Sequence, residues 1–493
     1  MENLIVVNNP NSWPFKISGV QLVSARSYLT DETYSRMRQA RVFNLCNSYR
    51  YQNTGYYVSL LAAARGHKPL PNIITIQDLK LPALMRFVDD DLDKLIQKSF
   101  LSIQSDSFTL SIYFGRNVAK CYDRLALYLY NMFPAPLLRA EFSRIKKSWR
   151  LQSICAVPTG EIPEDHHEFL LGVATEHFAG RKIGVPKRKK LRYDLAILWN
   201  PDEPDAPSDE KAIKKFSLAA STFGLATELI TRDDYGRLAE FDALFIRETT
   251  SVNHHTYRFA RRAAAEGLFV VDDPESILKC SNKVYLAELM ERHNVPAPKT
   301  VLLYKDNIDK VLTEIGVPCV LKQPDSAFSQ GVLKVDDRDM FKVEADKLLS
   351  KSDIVVAQAY VPTSFDWRVG VFDKKPLFVC KYYMVKKHWQ IIQRDAVGRK
   401  FEGRFETIPV ELAPAQVVRT ALKAANLIGD GFYGVDIKEI DKCCYVMEVN
   451  DNPNVDFGVE DQVLKNSLYE RIMEVFIKRI LIKKNGSGYY YGQ

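Results

Sequence analysis

Cysteine is scarce and unpatterned in this 493-residue chain: it has eight, none in a Cys-x-x-Cys pair. That excludes the common zinc-ribbon and dithiol redox motifs. Cys443 and Cys444 are adjacent in a β-rich stretch, where successive side chains point apart, so the set reads as reduced, mostly buried small hydrophobes. No segment offers the roughly 20 consecutive apolar residues of a membrane span. The N-terminus, Met1-Glu-Asn-Leu-Ile-Val-Val, lacks the basic region and small-residue cleavage site of a secretory signal. A cytoplasmic protein with no membrane partner is expected. Charge of one sign is also missing, since 68 Lys and Arg against 61 Asp and Glu leave a formal +7. With no Gly/aromatic RNA-binding signature and no zinc spacing, nucleic acid is excluded as a main partner.

What is present is ordinary globular composition, 46% hydrophobic and 26% charged, on a chain too long for one core. About three domains are expected. Residues 1–185 open with the strand Leu4-Ile-Val-Val7. A polar turn and a helix follow, with Thr54 as cap, Val58, Leu61 and Ala62 on one face, and Gly66 as stop. The turn suits either an anion or an ordinary capped loop. A strand at Phe108 and helices near 122–132 and 166–177 complete this α/β part, to which no catalytic residue is assigned. The charged stretch Gly180 to Lys190 reads as a linker.

Residues 191–273 alternate strands (Tyr193–Trp199, Thr227–Ile230, Ala243–Thr250, Gly267–Asp273) with helices (about Asp209–Phe223, and after His254). That order predicts a small parallel sheet covered on both faces. Ligands sit at the C-terminal ends of such strands, which puts Arg247 and Thr249 at a site edge. Arg247 is either a bidentate carboxylate clamp or a salt-bridged structural arginine.

The most informative stretch is Gly431 to Asn454, two β-branched and aromatic strands joined by the polar turn Ile440-Asp-Lys442. Asp436 leaves the first strand, while Glu448 and Asn450, two apart, share a face of the second. Hard oxygen donors without His or Cys suit Mg²⁺, which completes its octahedron with water and substrate phosphates. A nucleotide is implied.

Gly434-Val-Asp436 followed by Glu448-Val-Asn450 and a Pro-containing loop resembles the ATP-grasp superfamily, in particular its RimK-like amino-acid ligases. The resemblance extends from Asp272 through the hairpin, and residues 1–185 resemble the N-terminal domain attached to some RimK-like members. It implies an ATP-grasp fold, two α+β subdomains sandwiching ATP, over 274–484, preceded by the small α/β domain at 191–273 and followed by a tail at 485–493. It implies two Mg²⁺ ions, or Mn²⁺ in their place, on Asp436, Glu448 and Asn450. It assigns Lys283 and Lys322 to the phosphates, and the loop Ser326 to Gly331, with Ser329 within it, to a lid. Ala359, Tyr360 and Val361 would pair with adenine through their backbone, and Asp366 with the ribose. Arg368, Lys381 and Arg404 would face the phosphates or the acyl phosphate, Arg394 and Arg399 being alternatives to Arg404. A cross-strand Asp–Arg ion pair is the competing use of Arg368.

After Asn450 the loop is more acidic than its family counterpart. Asp451 and Asn452 are assigned to the amine substrate, the acidic residues either attracting an ammonium group or capping a helix expected at Asp461–Leu481. The implied activity is ATP-dependent carboxylate–amine ligation through an acyl phosphate, on an amino acid or peptide, with glutamate as one suggestion and a homo-oligomer left open. The alternatives are a phosphoryl-transfer enzyme and a nucleotide-responsive binding protein.

Overall fold

The computed structural model describes residues 2–13, 15–37, 39–80, 90–145, 148–179, 192–325, 331–386, 388–394 and 400–484. The linker at 180–190, Ser326, Ser329, Arg399 and the tail 485–493 lie outside them. The chain divides into two compact units, Met1–Ala196 with Gly224–Asp242 and Lys484–Gln493, and Ile197–Phe223 with Ala243–Lys483. Among the described residues no helix is long and apolar enough to cross a membrane.

In the first unit β1 (Glu2–Val7), β2 (Val20–Ser24), β3 (Ala40–Asn44) and β4 (Lys68–Leu70) form a parallel sheet of order β2-β1-β3-β4. The apolar run in β1 serves both faces: Leu4 and Val6 join one core with Tyr28 and Val58, Ile5 and Val7 another with Phe43 and Leu170. Continuous apolar strands are what a sheet covered on both sides requires. The helix expected at Thr54 is Thr54–Ala64, but its cap position is Asn53. An antiparallel sheet, β5 (Ser107–Tyr113), β6 (Leu137–Ile145) and β7 (Ser148–Ala156), shares a core with Leu125, Ala126 and Leu129 of the helix Asp123–Met132.

The strand β8 (Tyr193–Leu198) runs from the first unit into the second, and β9 (Leu225–Ile230) belongs to the first. In the second unit β10 (Ala243–Ile246) and β11 (Phe269–Val271) pair in parallel, as the alternating pattern predicts.

Two antiparallel sheets follow. The strands β12 (Thr300–Leu303), β13 (Cys319–Lys322), β14 (Val332–Val335) and β15 (Val355–Ala359) take the order β12-β15-β13-β14. Their inner face packs on the helices Ile308–Ile315 and Arg338–Leu349 through Leu303, Leu321, Val311 and Phe341. Next come β16 (Phe365–Phe372), β17 (Lys375–Tyr383), the small pair β18 (Ile392–Arg394) and β19 (Lys400–Glu402), then β20 (Phe405–Ile408), β21 (Phe432–Ile440) and β22 (Cys443–Asn450). The large sheet has the order β20-β17-β16-β21-β22 and packs on the helix Ala415–Ile428 through Val369, Val435, Val417 and Ala421. These are the two α+β subdomains the resemblance implies.

The last helix begins later than expected, at Asn466 rather than Asp461. Asp461 is engaged otherwise, accepting from the Gly458 N–H at 2.8 Å and the Tyr469 hydroxyl at 3.1 Å. Lys465, at φ 52°, stands in the left-handed region just before the helix.

Candidate active site

Asp441 and Lys442, at φ 49° and 67°, make the tight turn between β21 and β22, the twist that a two-residue hairpin favours. The register sets Asp436 opposite Glu448 and Gly434 opposite Asn450, with Met447 as an extra residue in β22. Three oxygen-bearing side chains therefore share one face, and the Asn450 amide donates to Asp436 Oδ2 at 3.2 Å. Gly434 is required by close approach: a Cβ there would lie 2.8 Å from that of Pro453.

Two lysines reach this face from other elements. Lys283 opens the helix Lys283–Arg292, which Asn282 caps. Its backbone N–H donates to the Pro324 carbonyl at 2.9 Å, and its ammonium stands 3.2 Å from Glu448 Oε1. Lys322 is the last residue of β13. Burial, aided by Lys283 and Lys438, pushes its ammonium down to about 8 although Glu448 opposes the shift. Burial alone would raise the Glu448 carboxyl, but Lys283, Lys322 and Arg368 outweigh it and hold the group below its ordinary value.

Two ion pairs cross from β16 to β21 in series. Arg368 is register partner of Asp436 and binds it through two bonds of 2.7 Å each. Two residues along, Lys438 donates to Asp366 at 2.5 Å and to Thr363 at 2.8 Å. The ion pair weighed as the competing use of Arg368 thus exists.

A cavity of about 160 Å³ lies among Lys283, Lys322, Asp366, Asp436, Lys438 and Glu448. Ala359, Tyr360 and Val361 wall it, with Trp389 facing Tyr360 edge-on at 6.1 Å. A neighbouring cavity of about 340 Å³ shares Lys283, Lys322, Gln358, Met447 and Glu448 with it, making one crevice. Gln358 donates to Thr300 Oγ1 at 3.0 Å and leaves its own Oε1 buried without a partner among the described residues. Gly331, at φ 66°, has its carbonyl accepting from the Gln323 N–H at 3.0 Å.

The donor set fits Mg²⁺. It offers two carboxylates and an amide on one sheet face, too few for an all-protein cage and the number this ion takes when phosphates and water complete its shell. No cluster of three or more His, Cys, Asp or Glu able to hold a metal occurs among the described residues.

Other expected residues stand elsewhere. Lys381 pairs with Trp367, not Arg368, so alternation turns it to the opposite face of the sheet. There it packs against Trp367 and Phe365 and reaches Glu406 at 3.3 Å. Arg404 is exposed and stacks 4.1 Å from the Tyr383 ring. Arg247 is fully buried, its donors engaged by Ser208 Oγ at 3.1 Å, Asn452 Oδ1 at 2.7 Å, and the Pro207 and Pro453 carbonyls. Burial lowers it to about 10. Asn452 also donates to the Glu248 carbonyl at 2.7 Å. Asp451 is buried, and one of its oxygens lacks a hydrogen-bond partner among the described residues.

Residues missed from sequence are Lys438, Gln358, Trp389 and Met447. Lys438 could have been found, being two residues beyond Asp436 on the same strand.

Residues 25–172 match the family described as RimK-like ATPgrasp N-terminal domain, and residues 280–454 the ATP-grasp domain. Among curated proteins, the alpha-aminoadipate–LysW ligase LysX of Saccharolobus solfataricus is 27% identical over 195 residues, 38% of this chain and 67% of that protein. A probable alpha-L-glutamate ligase of Thioalkalivibrio sulfidiphilus is 27% identical over 231 residues, 45% of this chain and 72% of its own length. The solved RimK domain protein ATP-grasp from Sphaerobacter thermophilus aligns with TM-score 0.44 at 17% identity, over 57% of this chain and 98% of that one. The chain thus carries a RimK-like ATP-grasp N-terminal domain and an ATP-grasp domain, the latter supplying the residues of the crevice.

Proposed function

We propose that the chain is an ATP-dependent carboxylate–amine ligase that forms an amide or peptide bond through an acyl phosphate. The observation that carries this reading is the meeting of Lys283, Lys322, Asp436 and Glu448, drawn from four separate elements onto one cavity, with Arg368 holding Asp436. A carboxylate attacking the γ-phosphate must overcome repulsion between anions. Lys283 and Lys322 offset phosphate charge from two sides, in a site where burial strengthens each interaction. Arg368 holds Asp436 in place and keeps a positive charge against the reacting face. Asp436, Glu448 and Asn450 would hold Mg²⁺, two ions on this reading, with Mn²⁺ able to replace them. When bound, the metal neutralises the polyphosphate and aligns it for in-line transfer.

Ala359, Tyr360 and Val361 offer backbone groups to the adenine edge, and Asp366 its carboxylate to the ribose. Ser326, Ser329 and Gly331 belong to the loop that would cover the phosphates. Arg247 acts as a positioning residue: its guanidinium fastens the 452–453 loop instead of meeting substrate. Residues 274–484 carry nucleotide and chemistry in this reading, and 1–185 a task the chemistry does not require. The relatives' names make an amino acid or peptide the leading substrate class, and the cytoplasm is the compartment where ATP is at hand.

The test is to incubate the chain with Mg-ATP and pooled amino acids and short peptides, following ADP and product masses. One ADP per condensed product is expected. Condensation without ADP would overturn the mechanism, and ADP without condensation would favour a phosphoryl-transfer enzyme.

A further inference from the structure

Beside the nucleotide crevice the second unit holds a further cavity of about 440 Å³, which shares Ile391 and Ile392 with it. The volume suits a small-molecule site. Six carboxylates line it, Glu203, Asp205, Asp209, Glu210, Asp456 and Glu460, with no Lys, Arg or His in the lining among the described residues. The remaining walls include the aromatic rings of Trp199, Tyr382, Tyr383 and Phe405. Carboxylates beside aromatic faces make the set that recognises an organic cation. The same wall repels an acidic ligand.

The acidic wall is built in rather than spread over a mobile surface. Glu460 is 1% exposed; the Tyr382 hydroxyl donates to one of its oxygens and the Asp456 N–H to the other at 2.7 Å. Asp456 in turn accepts from the Asp209 N–H at 2.9 Å, and Asp209 from the Phe457 N–H at 3.2 Å. Glu203 accepts from the Thr249 N–H at 3.0 Å. Arg247 ties both rims together through Pro207 and Pro453. Glu210 has Lys214 as its ion-pair partner, but that pair lies on the exposed rim. Burial pushes Glu460 up to about 7 and also raises Asp456, against the opposing charge of Arg247 behind it. The cavity adjoins the reacting face, since Tyr382 also lies 5.2 Å beneath the Arg368 guanidinium.

Resting on the ligase reading, we infer that this cavity receives the amine substrate, and that this amine carries a second positive charge, as di- and polyamines and basic amino acids do. The uncharged amine nitrogen attacks the acyl carbon; the C–N bond forms as the C–O bond to phosphate breaks. The electron pair and the amine proton leave with inorganic phosphate. The second charge stays among the carboxylates and holds the nucleophile in place.

Spermidine is the probe and glutamate its counter-probe, titrated calorimetrically into the full chain, wild type and Glu203→Gln/Asp205→Asn, with Mg-ATP affinity as the check on folding. Spermidine should bind and glutamate should not, and the double variant should lose about tenfold or more of spermidine affinity with that for Mg-ATP intact. In turnover with pooled carboxylates, amides of spermidine or lysine should exceed those of glutamate by about tenfold. Unchanged spermidine affinity in the variant, or amides of glutamate without those of the cationic amines, overturns the inference. Spermidine binding lost in the variant but no ADP formed with any amine leaves a cation site and overturns the ligase reading beneath it.

Discussion

Buried charge is used in opposite ways in two regions of this molecule. In the first unit Arg237 has Glu228, Asp234 and Glu240 at 2.8, 3.3 and 3.4 Å, and Arg41 and His177 approach Glu240 at 3.5 and 3.2 Å. Asp242 is held between Lys68 at 3.2 Å and Lys484 at 2.6 Å. In the second unit Lys283, Lys322, Lys438 and Arg368 face Asp366, Asp436 and Glu448, and most of these line a cavity. The first network closes on itself, with each carboxylate matched by cations from the chain. The second pairs Lys283, Lys438 and Arg368 with Glu448, Asp366 and Asp436 and adds Lys322, which lines the cavity without an ion pair among the described residues. A matched network shapes the fold; an unmatched one waits for a ligand of the missing sign.

The sharpest way to break that contrast is Glu448→Ala. ADP formation should fall by about 100-fold or more, the scale of losing an electrostatic contact made at the reacting centre. A coupled ADP assay at wild-type rate would remove Glu448 from the site. On the other side of the comparison, Arg237→Ala should cost about 3 kcal/mol of stability or more, because it strands buried carboxylates. Denaturant unfolding measures it, and the Mg-ATP dissociation constant of the folded protein should not change. Lys322→Ala should weaken Mg-ATP by about tenfold, the loss of one charge-assisted contact. Lys381→Ala, on the opposite sheet face, should stay within about twofold of wild type. Equal losses in the two variants would erase the distinction between the faces.

The smallest effect is one of pH. Burial, opposed by Asp242 and aided by Lys484, pushes Lys68 down to about 8 from its ordinary 10.5. Between those values the unfolded chain holds a proton that the folded chain has released, so this residue's contribution rises with pH. The stability difference between wild type and Lys68→Met should drift in favour of wild type by up to about 1 kcal/mol per pH unit in that window. A difference that is flat with pH would place Lys68 outside the buried network.

Much of the crevice was readable because strand chemistry is local. The turn at Asp441 and Lys442 and the two-residue period put Asp436, Glu448 and Asn450 on one face, as the register has them. Lys283, Lys322, the 359–361 segment and Asp366 line the same cavity. Legibility ended where a side chain's surroundings come from distant sequence. Strand β17 reads as a strand, but its register against β16 decides whether Lys381 meets Arg368 or Trp367, and a one-residue difference flips the face. At its strand end Arg247 reads as either a carboxylate clamp or a structural arginine. Nothing local announces the carbonyls of Pro207 and Pro453 that enclose it. The acidic cavity is assembled from residues 199–210, 382–405 and 454–460, three stretches that only folding brings together.

The central claim is that Asp436, Glu448 and Asn450 hold the metal of a metal–ATP complex, and Mn²⁺ paramagnetic resonance tests it most directly. Titrating the chain into Mn²⁺ should deplete the free-ion signal strongly only when ATP is present, with Glu448→Gln weakening that ATP-dependent binding by about tenfold or more. Equal Mn²⁺–ATP binding by the wild type and the variant would contradict the account.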